Sequence, residues 1–194
     1  MPINDEALDV IFRAAHTHNH WQDKPVSQAL LMAIYDLMRW GPTSANSSPA
    51  RIVFVVSKEA KERLRPHLDT GNVKKTMAAP ATAIIGTDLD FARHVGRLYP
   101  IDPDAPNWFK NPKHAEKTAF RNGSIQGGYF IIAARALGLD CGPMSGFDNE
   151  GLDREFFAGT AIRSNFLCNI GTGDPAGIRP RSPRLPFDEA CKIV

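Results

Sequence analysis

The sequence predicts a domain in which α-helices and β-strands share one core. Apolar residues recur at helical spacing from Leu30 to Met38, which predicts an amphipathic helix. The run at 52–56 is rich in β-branched residues and predicts a buried strand, and similar runs follow at 81–85 and 165–170. A long helix with little polar surface is predicted from about 115 to 137. Helices therefore alternate with strands along the chain.

Size and charge narrow the functional classes. The chain has 194 residues, 43% of them hydrophobic, which is enough for one globular core. Its 23 basic and 21 acidic residues leave a net charge of +2, without the basic runs expected of a protein that binds nucleic acid or a membrane surface. No stretch has the apolar length of a membrane span, and the first residues lack the apolar core of a signal peptide.

The three cysteines predict a reducing, cytoplasmic setting. Cys141, Cys168 and Cys191 are odd in number, lie far apart and lack zinc-binding spacing.

A polar loop at residues 40–49 joins the first amphipathic helix to the first strand. Its prolines, hydroxyls and amide include Thr43, Ser44 and Asn46, which can present polar groups to a ligand from a rigid base. An ordinary helix-to-strand turn uses the same residue types, so the loop alone leaves both interpretations open.

Two further segments are weak candidates for polar binding. Asn72 and Lys75 lie three residues apart on one predicted helical face and can hold a phosphate, although a solvated lysine is the simpler interpretation. The glycine-containing loop that begins after Cys141 includes Pro143, Met144, Ser145 and Gly146, and its glycines allow backbone N–H groups to approach a ligand closely.

The histidines at 16, 18 and 20 alternate with polar residues. In an extended segment they share one face, and imidazole is a common zinc ligand. No cysteine or HExxH helix completes such a site, so surface histidines or histidines that contact an anion are favoured over a metal site.

Three common catalytic motifs are absent from the sequence. There is no P-loop, no GxGxxG and no GxSxG, so neither a P-loop nucleotidase nor a Rossmann dehydrogenase is indicated, and no nucleophile elbow is present.

Together these segments resemble the nitroreductase superfamily of flavoproteins, and more closely its malonic semialdehyde reductase branch. Residues 41–49 are similar to the superfamily loop that contains Ser and Asn, with Ser48 where Gln is usual and Ala50 where Trp is usual. The wording GPTSAN-x-SPAR, which ends at Arg51, is nearer the semialdehyde reductases. Asn72 and Lys75 match the Asn-x-x-Lys that holds flavin mononucleotide (FMN), and the sequence PMSGF at 143–147 matches the loop over its ring.

One part of the resemblance departs from the family pattern. The N-terminal Arg-Ser-x-Arg phosphate motif aligns with His16, Thr17, His18 and Asn19, so neither arginine is present. A histidine donates to phosphate more strongly when it is protonated. FMN affinity is therefore expected to be weaker or more dependent on pH.

The resemblance implies an α+β, nitroreductase-like fold with a mostly antiparallel central sheet flanked by helices. It also implies an intertwined homodimer with flavin at the subunit interface, in which the tail at 178–194 of this single domain reaches over the partner. NADH or NADPH would reduce FMN in a ping-pong sequence, and no dedicated catalytic side chain is required because the flavin carries the chemistry. The residues expected to bind the cofactor are His16, Thr17, His18, Asn19, Thr43, Ser44, Asn46, Asn72, Lys75, Pro143, Met144, Ser145, Gly146, Arg181 and Arg184.

The expected electron acceptor is malonic semialdehyde, which would be reduced to 3-hydroxypropionate. Its carboxylate needs a cation, and Arg121 and His18 are the candidates, although a structural salt bridge explains Arg121 equally well. A broad nitroaromatic or quinone reductase is the alternative enzyme. The altered N-terminal motif also keeps open a flavin-binding protein without turnover and a cofactor-free structural dimer.

Overall fold

A four-stranded antiparallel sheet forms the centre of the computed structural model, which describes residues 1–194. Its strands are β1 (Ala50–Val55), β2 (Ala81–Asp88), β3 (Asp140–Met144) and β4 (Ile162–Gly171), in the order β1-β2-β4-β3. All three pairings are antiparallel. Every residue of β2 is buried, as expected for a central strand.

Eight helices surround this sheet. They are α1 (Asp5–Leu8), α2 (Gln28–Met38), α3 (Lys58–Leu64), α4 (Thr70–Ala78), α5 (Ala92–Leu98), α6 (Pro112–Ala136), α7 (Asn149–Phe156) and α8 (Phe187–Ala190). A π-helical turn continues α1, and short 3-10 turns occur at Ser44–Asn46, Arg65–His67, Ala105–Phe109 and Pro175–Gly177. No helix combines the length and the apolar character needed to cross a membrane.

The two faces of the sheet carry separate cores. On one face, Ile34 of α2 and Phe130 of α6 belong to the same buried cluster as Ile85 of β2. The other face holds a cluster that includes Leu64 of α3 and Ile84 of β2. Successive strand residues point to opposite faces, so the neighbours Ile84 and Ile85 serve different cores. This arrangement confirms the expected α+β fold with helices on both sides of an antiparallel sheet.

Helix α6 packs directly on the sheet because it lacks side chains at two contact positions. A Cβ at Gly123 would lie 2.7 Å from Thr87 Oγ1, and one at Gly127 would lie 2.6 Å from Cζ of Phe166. These two glycines permit the close approach of the helix to the sheet. Gly128 does not share this role, since a Cβ there would have no neighbour within 4 Å.

Two elements differ from the sequence prediction. Residues 141–144, predicted as part of a loop, lie in the edge strand β3. The segment at 88–117 contains the short helix α5, which the sequence analysis does not predict, and Phe91 and Phe109 pack edge to face there with ring centroids 4.8 Å apart. Pro143 is tolerated in β3 because an edge strand can lack one backbone donor.

A lysine without a carboxylate partner is buried between α3 and the sheet. Lys61 is 6% exposed, and its Nζ donates to the Thr76 carbonyl at 2.8 Å and to Thr82 Oγ1 at 2.7 Å. The Thr82 hydroxyl donates in turn to Asn169 Oδ1 at 2.7 Å. Burial lowers the pKa of Lys61 to about 8, because a charged ammonium is costly to desolvate.

This depressed pKa predicts a dependence of stability on pH that a Lys61→Met variant lacks. Below about pH 8 Lys61 is protonated in both the folded and the unfolded protein. Between about pH 8 and 10.4 only the unfolded protein keeps this proton, so stability rises with pH in that range. Relative to its effect above pH 10, removing Lys61 is therefore expected to favour the folded state by up to about 3 kcal/mol more at neutral pH. Denaturant unfolding of both proteins at several pH values measures the difference. Lys58→Met, at the exposed start of α3, is the control. Parallel stability curves for Lys61→Met and the unmodified protein would contradict the assignment.

Candidate functional site

The N-terminal segment lies beside the edge strand β3. Thr17 forms a parallel bridge with Cys141, and the His18 backbone N–H donates to the Cys141 carbonyl at 3.0 Å. The His18 side chain is buried, with Nε2 3.3 Å from Asp140 Oδ1. Asp140 Oδ2 also accepts from the Gly173 N–H at 2.8 Å. The side chain of His18 thus joins the segment to the sheet and is not among the residues that line the neighbouring cleft, so its expected contact with cofactor or substrate stays a prediction.

A cationic cleft of about 420 Å³ separates this segment from the C-terminal tail. None of its eleven lining residues is acidic. The Arg181 guanidinium crosses between the two chain ends and donates to the carbonyls of Arg13 at 2.8 Å and Ala15 at 2.9 Å. The residues that line the cleft are Phe12, Ala15, His16, Thr17, Asn19, Arg135, Arg179, Pro180, Arg181, Ser182 and Arg184. Arginines are well suited to bind phosphate or carboxylate, so the cleft is an anion site by its chemistry.

Two of these arginines were not predicted from the sequence. Arg135 lies in the last turn of α6, where a basic residue is usual near the negative end of the helix dipole and gives no sign of a ligand. Arg179 precedes the predicted pair Arg181 and Arg184. Partial burial, together with the positive charge of Arg179, lowers the pKa of Lys75. Lys75 therefore lies within electrostatic range of the cleft, and an anion there would relieve the repulsion.

Asn72 and the 143–146 segment meet although they are far apart in sequence. The Asn72 side chain donates to the Gly146 carbonyl at 2.7 Å, and the Asp69 N–H donates to the same oxygen at 3.2 Å. A Cβ at Gly146 would lie 2.7 Å from Asn72 Nδ2, so only glycine fits there without movement. Met144 is buried, with its sulfur 3.5 Å from Thr76 Oγ1, whereas Ser145 is exposed. Pro143 is half-buried.

The loop before β1 is held in a strained conformation. Ala45, Asn46 and Ser48 have φ values of 49°, 46° and 41°, a backbone region that residues other than glycine rarely adopt. Three hydrogen bonds retain it: the Ser44 N–H donates to Asn122 Oδ1, Asn46 Nδ2 to the Leu98 carbonyl, and the Ser48 N–H to Thr43 Oγ1, at 2.9, 2.8 and 3.1 Å. Strain retained by such contacts is typical of ligand sites.

The strained loop lies at the opposite edge of the sheet from the other candidates. It leads into β1, whereas the cleft and the 143–146 segment border β3. The order β1-β2-β4-β3 separates these edges by three strand spacings, roughly 14 Å. One chain therefore brings together His16, Thr17, Asn19, Asn72, Lys75, the 143–146 segment and the tail arginines, but not Thr43, Ser44 or Asn46. Arg121 is exposed on α6, next to Asn122, and lines neither place.

Comparisons with known proteins agree with this geometry. Residues 12–171 match the model of the nitroreductase family. A Burkholderia lata protein, provisionally described as an NADH dehydrogenase/NAD(P)H nitroreductase, is 61% identical over 98% of both chains. A Stenotrophomonas maltophilia protein with the same provisional description is 60% identical over 97% of this chain and 96% of its own.

Two solved structures share the fold at low sequence identity. The Bacillus subtilis protein ydfN, provisionally described as a nitroreductase, superposes with a TM-score of 0.89 at 20% identity, over 98% of this chain and 100% of its own. An Exiguobacterium sibiricum protein with the same provisional description, solved in complex with FMN, superposes with a TM-score of 0.87 at 17% identity, over 100% and 99% of the two chains. With the family match over residues 12–171 and relatives at 60% identity or more, the chain belongs to the nitroreductase family.

Proposed function

We propose that this protein is an FMN-dependent oxidoreductase that uses NADH or NADPH to reduce malonic semialdehyde to 3-hydroxypropionate. The cofactor assignment rests on the cationic cleft, which has no acidic lining residue and lies within electrostatic range of Lys75. The hydrogen bond between Asn72 and Gly146 supports it. The provisional descriptions of the relatives agree with an NAD(P)H-dependent oxidoreductase, and one structural neighbour binds FMN.

The residues present fit the phosphate of FMN. Arg135, Arg179, Arg181 and Arg184 supply guanidinium donors to the cleft, and His16 supplies an imidazole. Lys75, whose partly buried ammonium is repelled by Arg179, would also be stabilised by a neighbouring anion. No carboxylate among the lining residues competes with a phosphate for these donors.

The chain's contribution is binding and orientation. When bound, FMN supplies the redox chemistry, accepting a hydride from the nicotinamide and passing it to the acceptor. Asn72 fixes the Gly146 backbone, which leaves Ser145 exposed at the end of β3 for contacts with the ring. Reduction of an aldehyde adds a hydride to the carbonyl carbon and a proton to its oxygen, and the proton can come from water.

A homodimer explains why the strained loop lies far from the cleft. A second copy can supply Thr43, Ser44 and Asn46 to the site of the first, so that each site uses both chains. The outer side of β1 is an unpaired sheet edge, and large apolar residues of α2 and the tail are exposed, including Met32 and Phe187. Unpaired edges favour strand addition. In this proposal the single domain spans 1–194, and its tail at 178–194 covers the partner.

The acceptor assignment rests on the loop sequence GPTSAN-x-SPAR and its likeness to malonic semialdehyde reductases. We place the reaction in the cytoplasm, where the buried thiols of Cys141 and Cys168 stay reduced.

Two measurements test the function. Purified protein loaded with FMN is expected to lose its yellow colour when NADH or NADPH is added without oxygen. The value of kcat/KM for malonic semialdehyde is then expected to exceed that for a nitroaromatic by at least about 100-fold, because a site with a partner for the carboxylate rejects substrates that lack one. A nitroaromatic that reacts as well as the semialdehyde would identify a broad reductase. Protein that cannot be loaded with FMN would exclude the enzyme.

The cleft predicts that a His16→Arg variant binds FMN more tightly than the unmodified protein. Arginine carries a permanent positive charge and can hold phosphate through two parallel N–H donors, so the dissociation constant at pH 8 is expected to fall several-fold. Fluorescence titration of FMN measures the constants of both proteins. Equal dissociation constants would exclude a role for position 16 in phosphate binding.

The tail proposal predicts that a chain ending at Pro186 dimerises at least about tenfold more weakly. It loses Phe187 and the exposed C-terminal Ile193 and Val194, whose burial against a partner would each add of the order of 1 kcal/mol or more. Light scattering over a concentration series measures the association, and a Phe187→Leu full-length chain is the control. Unchanged association of the truncated chain would show that the tail does not cover the partner.

A further inference from the structure

A small basic pocket lies at one end of the sheet, beside the first half of α6. Its floor contains Thr87 at the end of β2 and residues 163–165 near the start of β4. At this end of the sheet β3 ends just before Ser145, and β1 begins after the strained loop. The first half of α6 forms the wall. The pocket, of about 280 Å³, is lined by Thr87, Leu89, Lys113, Glu116, Lys117, Phe120, Arg163, Ser164 and Asn165.

The charges of this pocket are unbalanced. Lys113, Lys117 and Arg163 face a single carboxylate, that of Glu116, and none of the three cations forms an ion pair. Arg163 donates only to the carbonyl of the preceding Ile162, at 3.3 Å. The pocket therefore has an excess of positive charge that a small anion can neutralise.

A buried hydroxyl beneath the same pocket also lacks a partner. Thr87 is 3% exposed, and its Oγ1 makes no hydrogen bond. A buried hydroxyl without a partner is unfavourable and uncommon in folded proteins. Helix α6 covers this oxygen at Gly123, where a Cβ would approach it to 2.7 Å, so a ligand in the pocket does not reach it. The binding groups of the pocket are therefore its cations.

The remaining polar wall is rigid. Asn149 Nδ2 donates to both the carbonyl and the hydroxyl of Ser164 at 2.9 Å, and Asp153 Oδ1 accepts from the Ser164 N–H at 2.8 Å. Asn165 Nδ2 donates to Ser124 Oγ at 2.9 Å. Asn149 begins α7 shortly after the PMSGF segment, so the wall is connected to that segment. Groups fixed in this way bind a ligand without a further ordering cost.

We propose that this pocket binds the carboxylate of the aldehyde acid, with Lys117 and Arg163 as the cations. This inference rests on the proposed function and assigns the carboxylate to a place other than Arg121. The volume of the pocket favours a ligand of a few heavy atoms over a dinucleotide, because pockets for drug-sized ligands measure about 300 Å³ or more.

The first experiment is calorimetric titration of malonate, an unreactive dicarboxylate, into the purified protein. Lys117→Met and Arg163→Met are each expected to weaken malonate binding by about ten- to hundredfold, the loss expected for one hydrogen bond to a charged group. Lys58→Met, on the far helix α3, is the charge-matched control and should bind malonate normally. Unchanged malonate affinity in both pocket variants would overturn the proposal.

Steady-state kinetics with malonic semialdehyde, propanal and the nicotinamide donor show which anion the pocket binds. In Lys117→Met, kcat/KM should fall about ten- to hundredfold for malonic semialdehyde, while propanal, which lacks the carboxylate, and reduction by NADH or NADPH are unaffected. An equal loss for both aldehydes would overturn the carboxylate assignment, and so would a loss confined to the nicotinamide donor. If the protein fails to bind FMN, the proposed function fails, yet the malonate titration still decides whether the pocket binds a carboxylate.

Discussion

The close contact of α6 with the sheet is the constraint on which the rest of the structure depends. Because Gly123 and Gly127 carry no side chains, the helix lies directly on Thr87 and Phe166. Because the helix lies so close to the sheet, its Asn122 and Gln126 side chains reach the first strand and the loop before it. Asn122 accepts from the Ser44 N–H at 2.9 Å, and Gln126 accepts from the Ala50 N–H at 2.8 Å. The same helix contributes Lys117 to the basic pocket and Arg135 to the cationic cleft. One packing contact therefore sets the geometry of three polar regions.

Most of the fold follows from local sequence patterns. The predicted strands at 52–56, 81–85 and 165–170 correspond to β1, β2 and β4, and the long predicted helix corresponds to α6, with ends that differ by a few residues. These elements were predictable because each is long and its apolar spacing is regular. Strand β3 was not, because Gly142 and Pro143 are poor strand formers and only its position at the sheet edge permits them. Helix α5 was not predictable because prolines and basic residues obscure its apolar pattern, although its Val95 is fully buried.

The candidate site was predictable only in part. The resemblance located Asn72 and Gly146, and the 2.7 Å hydrogen bond between them joins two segments that were identified separately. Sequence could not distinguish the buried His18 from the cleft-lining His16, since both lie in the same short polar run. Nor could it identify Arg135 or Thr87, because a terminal helix arginine and a strand threonine are ordinary residues until the tertiary contacts around them are known.

The cationic cleft has a consequence for how the two ends of the chain behave. It is made mainly from residues 12–19 and 179–184, so an anion held there contacts both termini at once and acts as a noncovalent crosslink across nearly the whole chain. Without it, the termini are joined at this place mainly by two hydrogen bonds from one arginine, and the mutual repulsion of the arginines opposes even that contact. Terminal segments are where local unfolding usually begins. Cofactor binding would then determine whether the two ends unfold separately or as one cooperative unit. In protein without the cofactor, proteases would cleave from both ends.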